Sequence, residues 1–143
     1  MTTRRRKEEK RYRKAQSSRT DSDDCAFCAI QPGHEDFVDD GEFFKIIVNR
    51  FHYTYWDEQD VEHQIMLVPK THVESIKQLP VEAAAEFLDF IGKYEENGYN
   101  MYARANRSVT KSVPHQHTHL IKTNGKRKKL IMDSRKPFVL FMR

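Results

Sequence analysis

The chain has 143 residues, of which 38% are hydrophobic and 32% charged, with a formal net charge of +4. That length supports one domain with a modest core, and no stretch approaches the roughly 18 apolar residues of a membrane-spanning helix. Two cysteines are too few for a disulfide framework, so the expectation is a soluble, cytoplasmic protein.

Residues 1–20 carry nine basic side chains against two acidic ones, a balance of +7 that leaves −3 for the rest. Within 1–24 only Met1, Tyr12 and Ala15 are apolar or aromatic. So little apolar surface cannot offset the entropy of ordering, and the segment reads as a disordered basic tail. No apolar core follows its charges, as a secretory signal requires. It is either a polybasic arm for nucleic acid or another polyanion, or a solubilising extension. Cys25 and Cys28 open the expected domain, 25–143, with C-x-x-C spacing, which in a reducing compartment serves metal or redox chemistry. A thioredoxin-like site wants a strand before the motif and a helix at it; here a polar tail precedes and Gln31-Pro32-Gly33 follows. Structural zinc needs four ligands, so two more, histidines for preference, must come from elsewhere.

The remaining sequence alternates strand and helix signals. Residues 43–48 are aromatic and β-branched and read as a strand, with 52–56 as its partner. The run 65–68 is apolar without alternation, as in a strand covered on both faces. Thr71-His72-Val73-Glu74 has the form of a capping box, so a short helix should run to Leu79. Pro80 suits the first turn of a second helix. Its stripe of Ala84, Phe87, Leu88, Ile91 and Tyr94 reads as core, and Gly98 is placed to close it. Residues 99–105 resume strand character and lead through a polar loop, 106–112. Asn124-Gly125 signals a two-residue hairpin between strands at 121 and 130–132, and 138–142 makes the last strand. The pattern is α+β on an antiparallel sheet.

Between the loop and the hairpin lies Ser112-Val113-Pro114-His115-Gln116-His117-Thr118-His119. On one strand these imidazoles share a face, with neighbours about 6.6 Å apart and the outer pair about 13 Å apart. With Zn–N bonds of about 2.0–2.1 Å, one ion cannot collect all three from a straight strand. Three readings compete: a His-rich surface, a metal pair with a spare, or one metal ligand beside two histidines that do chemistry.

The C-x-x-C, Pro69-Lys70-Thr71-His72 after an apolar strand, and Ser112-x-x-His115-x-His117-x-His119 together resemble the histidine triad (HIT) family of nucleotide hydrolases and transferases. The resemblance runs in order from about Cys25 to Ile121. It implies an antiparallel sheet of about five strands with two helices, and a homodimer. Cys25, Cys28, His72 and His115 match the ligands of a structural zinc ion. His117 matches the nucleophile that is transiently nucleotidylated, His119 the residue that helps orient the site, and Ser112 one that hydrogen-bonds near the leaving group. Asn106 resembles the loop asparagine that supports the phosphate. The substrate class implied is a nucleoside monophosphate joined to its leaving group by a phosphoanhydride, phosphoester or phosphoramidate bond, dinucleoside polyphosphates among them.

Several residues depart from that pattern. Gln116 and Thr118 are polar where apolar residues are usual, so their face is either wet or packed against polar partners. The loop before the triad has no glycine; its Arg107 and Lys111 either meet substrate phosphates or form a solvated pair. Asp57 is either the ribose-binding acid or a loop carboxylate, and His63 is one residue out of register with the family's histidine before the strand. Two other function classes stand beside the enzyme: a nucleic-acid-binding module, which could also act on adenylylated nucleic-acid ends, and a metal-binding protein without turnover.

Overall fold

In the computed structural model, residues 4–17, 25–128, 130–132 and 140–142 are described. Six strands form an antiparallel sheet, β1 (Phe37–Asp40), β2 (Phe44–Val48), β4 (Gln59–Pro69), β6 (Thr118–Arg127) and β5 (Tyr99–Ala103) in that spatial order, with β3 (Tyr55–Trp56) paired to β4. With helices α1 (Arg6–Ser17) and α2 (Ala83–Glu96), the architecture is α+β. β7 (Leu130–Met132) and β8 (Leu140–Met142) pair separately as an antiparallel ribbon. The chain divides into a larger unit, 23–50 with 64–121, and a smaller one, 1–22 with 51–63 and 122–143.

Strand parity organises the larger unit. Phe44 and Ile46 of β2, Ile65 and Leu67 of β4, and Leu120 of β6 pack against Ala83, Phe90 and Ile91 of α2. The alternate residues, Ile47, Met66 and Val68, pack on the opposite face against Phe27, Ile30 and Val113. Both faces of β4 are therefore covered, which is why its apolar run does not alternate. β2 finds two partners, β1 and β4; the expected one, 52–56, supplies only β3, which pairs with β4 through Tyr55–Asp60 and Trp56–Gln59.

The buried face of α2 keeps Phe87, Ile91 and Tyr94 of the expected stripe and takes Ala83 and Phe90 in place of Ala84 and Leu88. Ala83, Phe90 and Ile91 are buried and Phe87 and Tyr94 partly so, whereas Ala84 is exposed and Leu88 is 68% exposed. Gly98 does close the helix, at φ 80° with its N–H donating to Glu95 O at 2.8 Å. The segment after His72 forms no α-helix. Its cap is Ser75, whose hydroxyl and Gln78 side chain make a capping box around the single 3-10 turn Ile76–Gln78. Pro80 and the extended Leu79 before it end the element at once.

α2 is tied to β2 by Glu86. Its carboxylate accepts from the backbone N–H groups of Glu42, Phe43 and Phe44 at 2.9–3.2 Å. Gly41 makes room for it: a Cβ there would stand 2.5 Å from Glu86 Oε1.

In the smaller unit, Asp57 and Glu58 take positive φ (46° and 63°) and form the two-residue turn between β3 and β4. Arg6–Ser17 is helical where its composition leads to an expectation of disorder. Glu8–Arg11 and Glu9–Arg13 pairs line the helix, Tyr12 packs edge-on to Phe51 at 5.6 Å, and the Arg4 guanidinium lies 4.1 Å from the Tyr12 ring. The apolar partner comes from far along the chain, so the tail's own composition does not reveal it. Residues 18–24, also part of that expectation, lie outside the described residues, as do 138 and 139 of the last expected strand. Asn124-Gly125 makes no hairpin: β6 continues through both residues. Gly125 takes the left-handed φ of 70° within the strand, and Asn124 Oδ1 accepts from Lys126 N–H at 3.0 Å.

Hydrogen bonds to a charged acceptor contribute about 1.5–3 kcal/mol each, but the three at Glu86 share one carboxylate. We expect Glu86→Ala to lower unfolding free energy by about 2–4 kcal/mol in urea titration, and Glu86→Gln by less. An Ala variant within 0.5 kcal/mol of the parent would contradict this.

Candidate functional site

All the groups that carry the candidate chemistry, apart from Asp57, lie in the larger unit. Residues 25–30 form a turn, with Ala29 N–H donating to Cys25 O at 3.2 Å and Ile30 N–H to Phe27 O at 3.3 Å. Both thiols are thereby brought to one side, near His72 from the end of β4 and His115 from the triad. One ligand atom from each of Cys25, Cys28, His72 and His115 lies within 4.8 Å of the others. His115 Nδ1 is 3.4 Å from Cys25 Sγ and 3.5 Å from Cys28 Sγ, and His72 Nδ1 is 3.4 Å from Cys28 Sγ.

These separations fit an ion. Bonds of about 2.3 Å to sulfur and 2.0–2.1 Å to nitrogen, in a tetrahedron, place S and N about 3.5 Å apart. The tautomer fits as well: His115 Nε2–H donates to Pro69 O at 3.0 Å, leaving the Nδ1 lone pair toward the sulfurs. Burial, with His72 nearby, lowers the His115 pKa to about 4, so the ring is the neutral species a metal requires. Burial, and then the neighbouring Cys25, raise the Cys28 pKa, while Lys45 opposes them. Lys45 itself is buried, its ammonium donating to Ile30 O beneath the same turn. The cluster could hold a metal ion, and four protein ligands would leave no open position on it.

The triad does not lie on one straight strand. The chain bends at Pro114 and His115, and β6 begins only at Thr118. His115 turns to the cysteines, while its carbonyl accepts from His117 Nδ1–H at 2.8 Å. That bond leaves the Nε2 lone pair of His117 for chemistry. Burial lowers the His117 pKa, and the Lys111 and Arg104 charges push the same way, against the raising effect of the His115 carbonyl; the neutral, nucleophilic form is favoured. His119 stands edge-on to His117 at 5.0 Å. Gln64 Nε2 donates to His119 Nδ1 at 3.0 Å, which puts the His119 proton on Nε2 as a donor.

Among the other expected residues, Ser112 and Asn106 lie exposed on the loop between β5 and the triad. Asp57 belongs to the smaller unit and occupies the β3–β4 turn, where its left-handed backbone gives it a structural reason to be there. Gln116 and Thr118 are buried, and Gln116 N–H donates to Val73 O at 2.7 Å; the face is packed rather than wet.

Four participants escaped the sequence reading. Phe27, inside the C-x-x-C, packs edge-on to His117 at 5.1 Å and against His115 at 6.1 Å. Gln64 shares strand parity with Met66 and Val68, so it points to the site face and meets His119 across β4 and β6. Tyr102 stacks on His119 at 6.0 Å and 17°, and Arg104 lies over Tyr102 at 5.3 Å. Only Gln64 was legible in principle, by counting in twos back along the strand from Val68.

No protein-family model matches the chain, and no curated protein matches it. The fold is similar to that of a HIT family protein from Bacillus anthracis str. 'Ames Ancestor', at 19% identity and TM-score 0.56, covering 82% of this chain and 88% of that one. It is similar also to a histidine triad protein from Clostridium difficile, at 19% and 0.53, covering 76% and 97%. A HIT family hydrolase from Clostridium thermocellum aligns at 18% and 0.51, covering 75% and 97%. The chain thus has the HIT-like fold. No helix among the described residues is long and apolar enough to cross a membrane.

The four-donor cluster leads us to expect about one firmly held divalent metal ion per chain in elemental analysis of purified protein. Cys25→Ser and Cys28→Ser should each release it and lower the melting temperature. Full metal content in the Cys28→Ser protein would contradict the site.

Proposed function

We propose that the protein is a HIT-type nucleotidyl hydrolase or transferase with a structural zinc ion. The observation that carries this reading is the His117 Nδ1–His115 O bond, because it fixes the tautomer of a buried imidazole and leaves Nε2 as a nucleophile. Two proteins of similar fold, from Clostridium thermocellum and Legionella pneumophila, are HIT family hydrolases, which supports it.

In the first step His117 Nε2 attacks the phosphorus of a nucleoside monophosphoryl group. An N–P bond forms, the bond to the leaving group breaks, and the electron pair departs with that group. The His115 carbonyl stabilises the imidazolium character that develops at Nδ1. His119, its Nε2–H directed by Gln64, donates to the phosphoryl oxygens or the departing atom, and Ser112 assists near that atom. Asn106 supports the phosphate. In the second step water, or an acceptor nucleophile, attacks phosphorus, the N–P bond breaks and His117 is regenerated. The two halves replace one difficult displacement by two easier ones. Cys25, Cys28, His72 and His115 would hold the zinc ion outside these steps, where it would fix the position of His115 and, through it, the orientation of His117.

The metal-carrier alternative needs exchangeable binding at His117 and His119. Gln64 donates to His119 Nδ1, so the His119 proton sits on Nε2 and that ring offers an ion no free lone pair, which favours the enzyme.

We expect the wild-type protein to release adenosine monophosphate from diadenosine polyphosphates or adenosine phosphoramidate. His117→Ala should lose at least about a thousandfold of that rate with the fold retained by circular dichroism. A His117→Ala protein that keeps the wild-type rate would refute the mechanism.

A further inference from the structure

The excess positive charge of the chain belongs to its smaller unit. Residues 1–22, 51–63 and 122–143 hold seventeen basic side chains against eight acidic ones, a balance of +9, and the larger unit holds eight against thirteen, a balance of −5. The nucleotidyl chemistry proposed above uses none of that excess. On α1 it is sorted by face. Lys7, Lys10, Arg11 and Lys14 recur at i, i+3, i+4 and i+7, so they share one side of the helix, and all four are exposed. From Lys7 to Lys14 that side runs about 10 Å. Glu8, Glu9, Tyr12 and Ala15 lie on the other side and are half-buried.

Contacts within the same unit hold the helix in this rotation. Tyr12 meets Phe51 edge-on. Just before the helix, the Arg4 guanidinium lies 4.1 Å from the Tyr12 ring and 5.0 Å from the Tyr53 ring, and its Nε–H donates to Phe51 O at 2.9 Å. Arg5 N–H donates to Thr54 Oγ1 at 3.0 Å. Both carboxylates are engaged, Glu8 by Arg11 at 3.4 Å and Glu9 by Arg13 at 3.1 Å and Arg4 at 3.8 Å. Among the described residues, Lys7, Lys10 and Lys14 have no acidic partner. Like charges three and four residues apart destabilise a helix, and a merely solvated face would be better served by mixed signs.

We infer that the face of α1 formed by Lys7, Lys10, Arg11 and Lys14 binds the phosphate backbone of duplex nucleic acid without reading its sequence. Charge complementarity selects a polyanion, and the make-up of the helix selects which one. An anionic membrane takes an amphipathic helix through its apolar side, and here that side, Tyr12 with Ala15, is turned inward. Single strands are gripped by aromatic rings on which bases stack, and the exposed face of α1 carries none. A ridge of cations alone suits the phosphates that border a duplex groove, and a major groove about 12 Å wide admits a helix. The ammonium and guanidinium groups donate to non-bridging phosphate oxygens, which fixes position without recognising bases. This surface does not depend on the chemistry of His117, and either can hold without the other.

The test titrates the full chain into a labelled DNA duplex of arbitrary sequence, read by fluorescence anisotropy. Binding should weaken roughly a hundredfold between about 50 and 200 mM salt, as the release of about four counterions requires. Lys7→Gln, Lys10→Gln and Lys14→Gln combined, which keep good helix formers, should weaken it at least about tenfold and flatten the salt slope by nearly three. The corresponding Lys→Arg triple variant should bind as wild type does. Arg13→Gln removes the same charge from a side chain already paired with Glu9, and should cost less than Lys10→Gln. Four results would overturn the surface: wild-type affinity within about twofold in the triple Gln variant; equal losses in Arg13→Gln and Lys10→Gln, which would mean net charge alone; tighter binding to a single strand than to the duplex; or tighter binding to phosphatidylserine vesicles than to the duplex at equal phosphate.

Discussion

His115 serves two sites at once, and the rest of the arrangement depends on it. Its ring faces Cys25, Cys28 and His72, with Nε2 held by Pro69 O; its carbonyl holds His117 Nδ1. A residue that must satisfy both demands cannot lie flat in a strand, and the chain bends there before β6 begins. The four-donor cluster and the His117 ring are thus coupled through one residue. Loosening the cluster would release the carbonyl that sets the tautomer of His117, so an ion held there would govern that ring from a distance. Phe27 strengthens the coupling, since the aromatic ring between the two cysteines packs on both His115 and His117.

The sheet supplies the platform. Alternate residues of β2, β4 and β6 divide into an α2-facing layer and a site-facing layer. Gln64 and His119 fall on the second, and the hydrogen bond between them joins two strands inside the site. Glu86 fastens α2 to the start of β2 from the opposite side. Both layers are apolar at the centre of the sheet, and the second also carries Gln64 and His119.

Much of this was legible in the sequence where a local pattern has one physical meaning. The non-alternating run 65–68 signalled a doubly covered strand and Gly98 the end of α2; the C-x-x-C spacing called for two further ligands, and the family resemblance pointed to His72 and His115. Signals that several local structures share were misread. The capping box at Thr71 lost to the one at Ser75, and from that later start Pro80 leaves room for only a single turn. In the stripe of α2, Phe87, Ile91 and Tyr94 pack as expected, while Ala84 and Leu88 give way to Ala83 and Phe90; Ala83 and Ala84 are equivalent by composition, and only packing separates them. Asn124-Gly125 has the turn-forming residues, but β6 continues and Gly125 bends within it. Long-range partners were invisible altogether: Tyr12 with Phe51, Tyr102 with His119, and Phe27 with the triad each join residues distant in sequence.

The central claim is that His117 becomes covalently nucleotidylated, and rapid-quench mass spectrometry tests it most directly. Protein mixed with a diadenosine polyphosphate and quenched in alkali should carry one adenylyl group on the peptide that contains His117. That adduct should form and decay within a turnover and be absent from His117→Ala. Rapid turnover with no adduct at any time, or an adduct on another residue, would contradict the account.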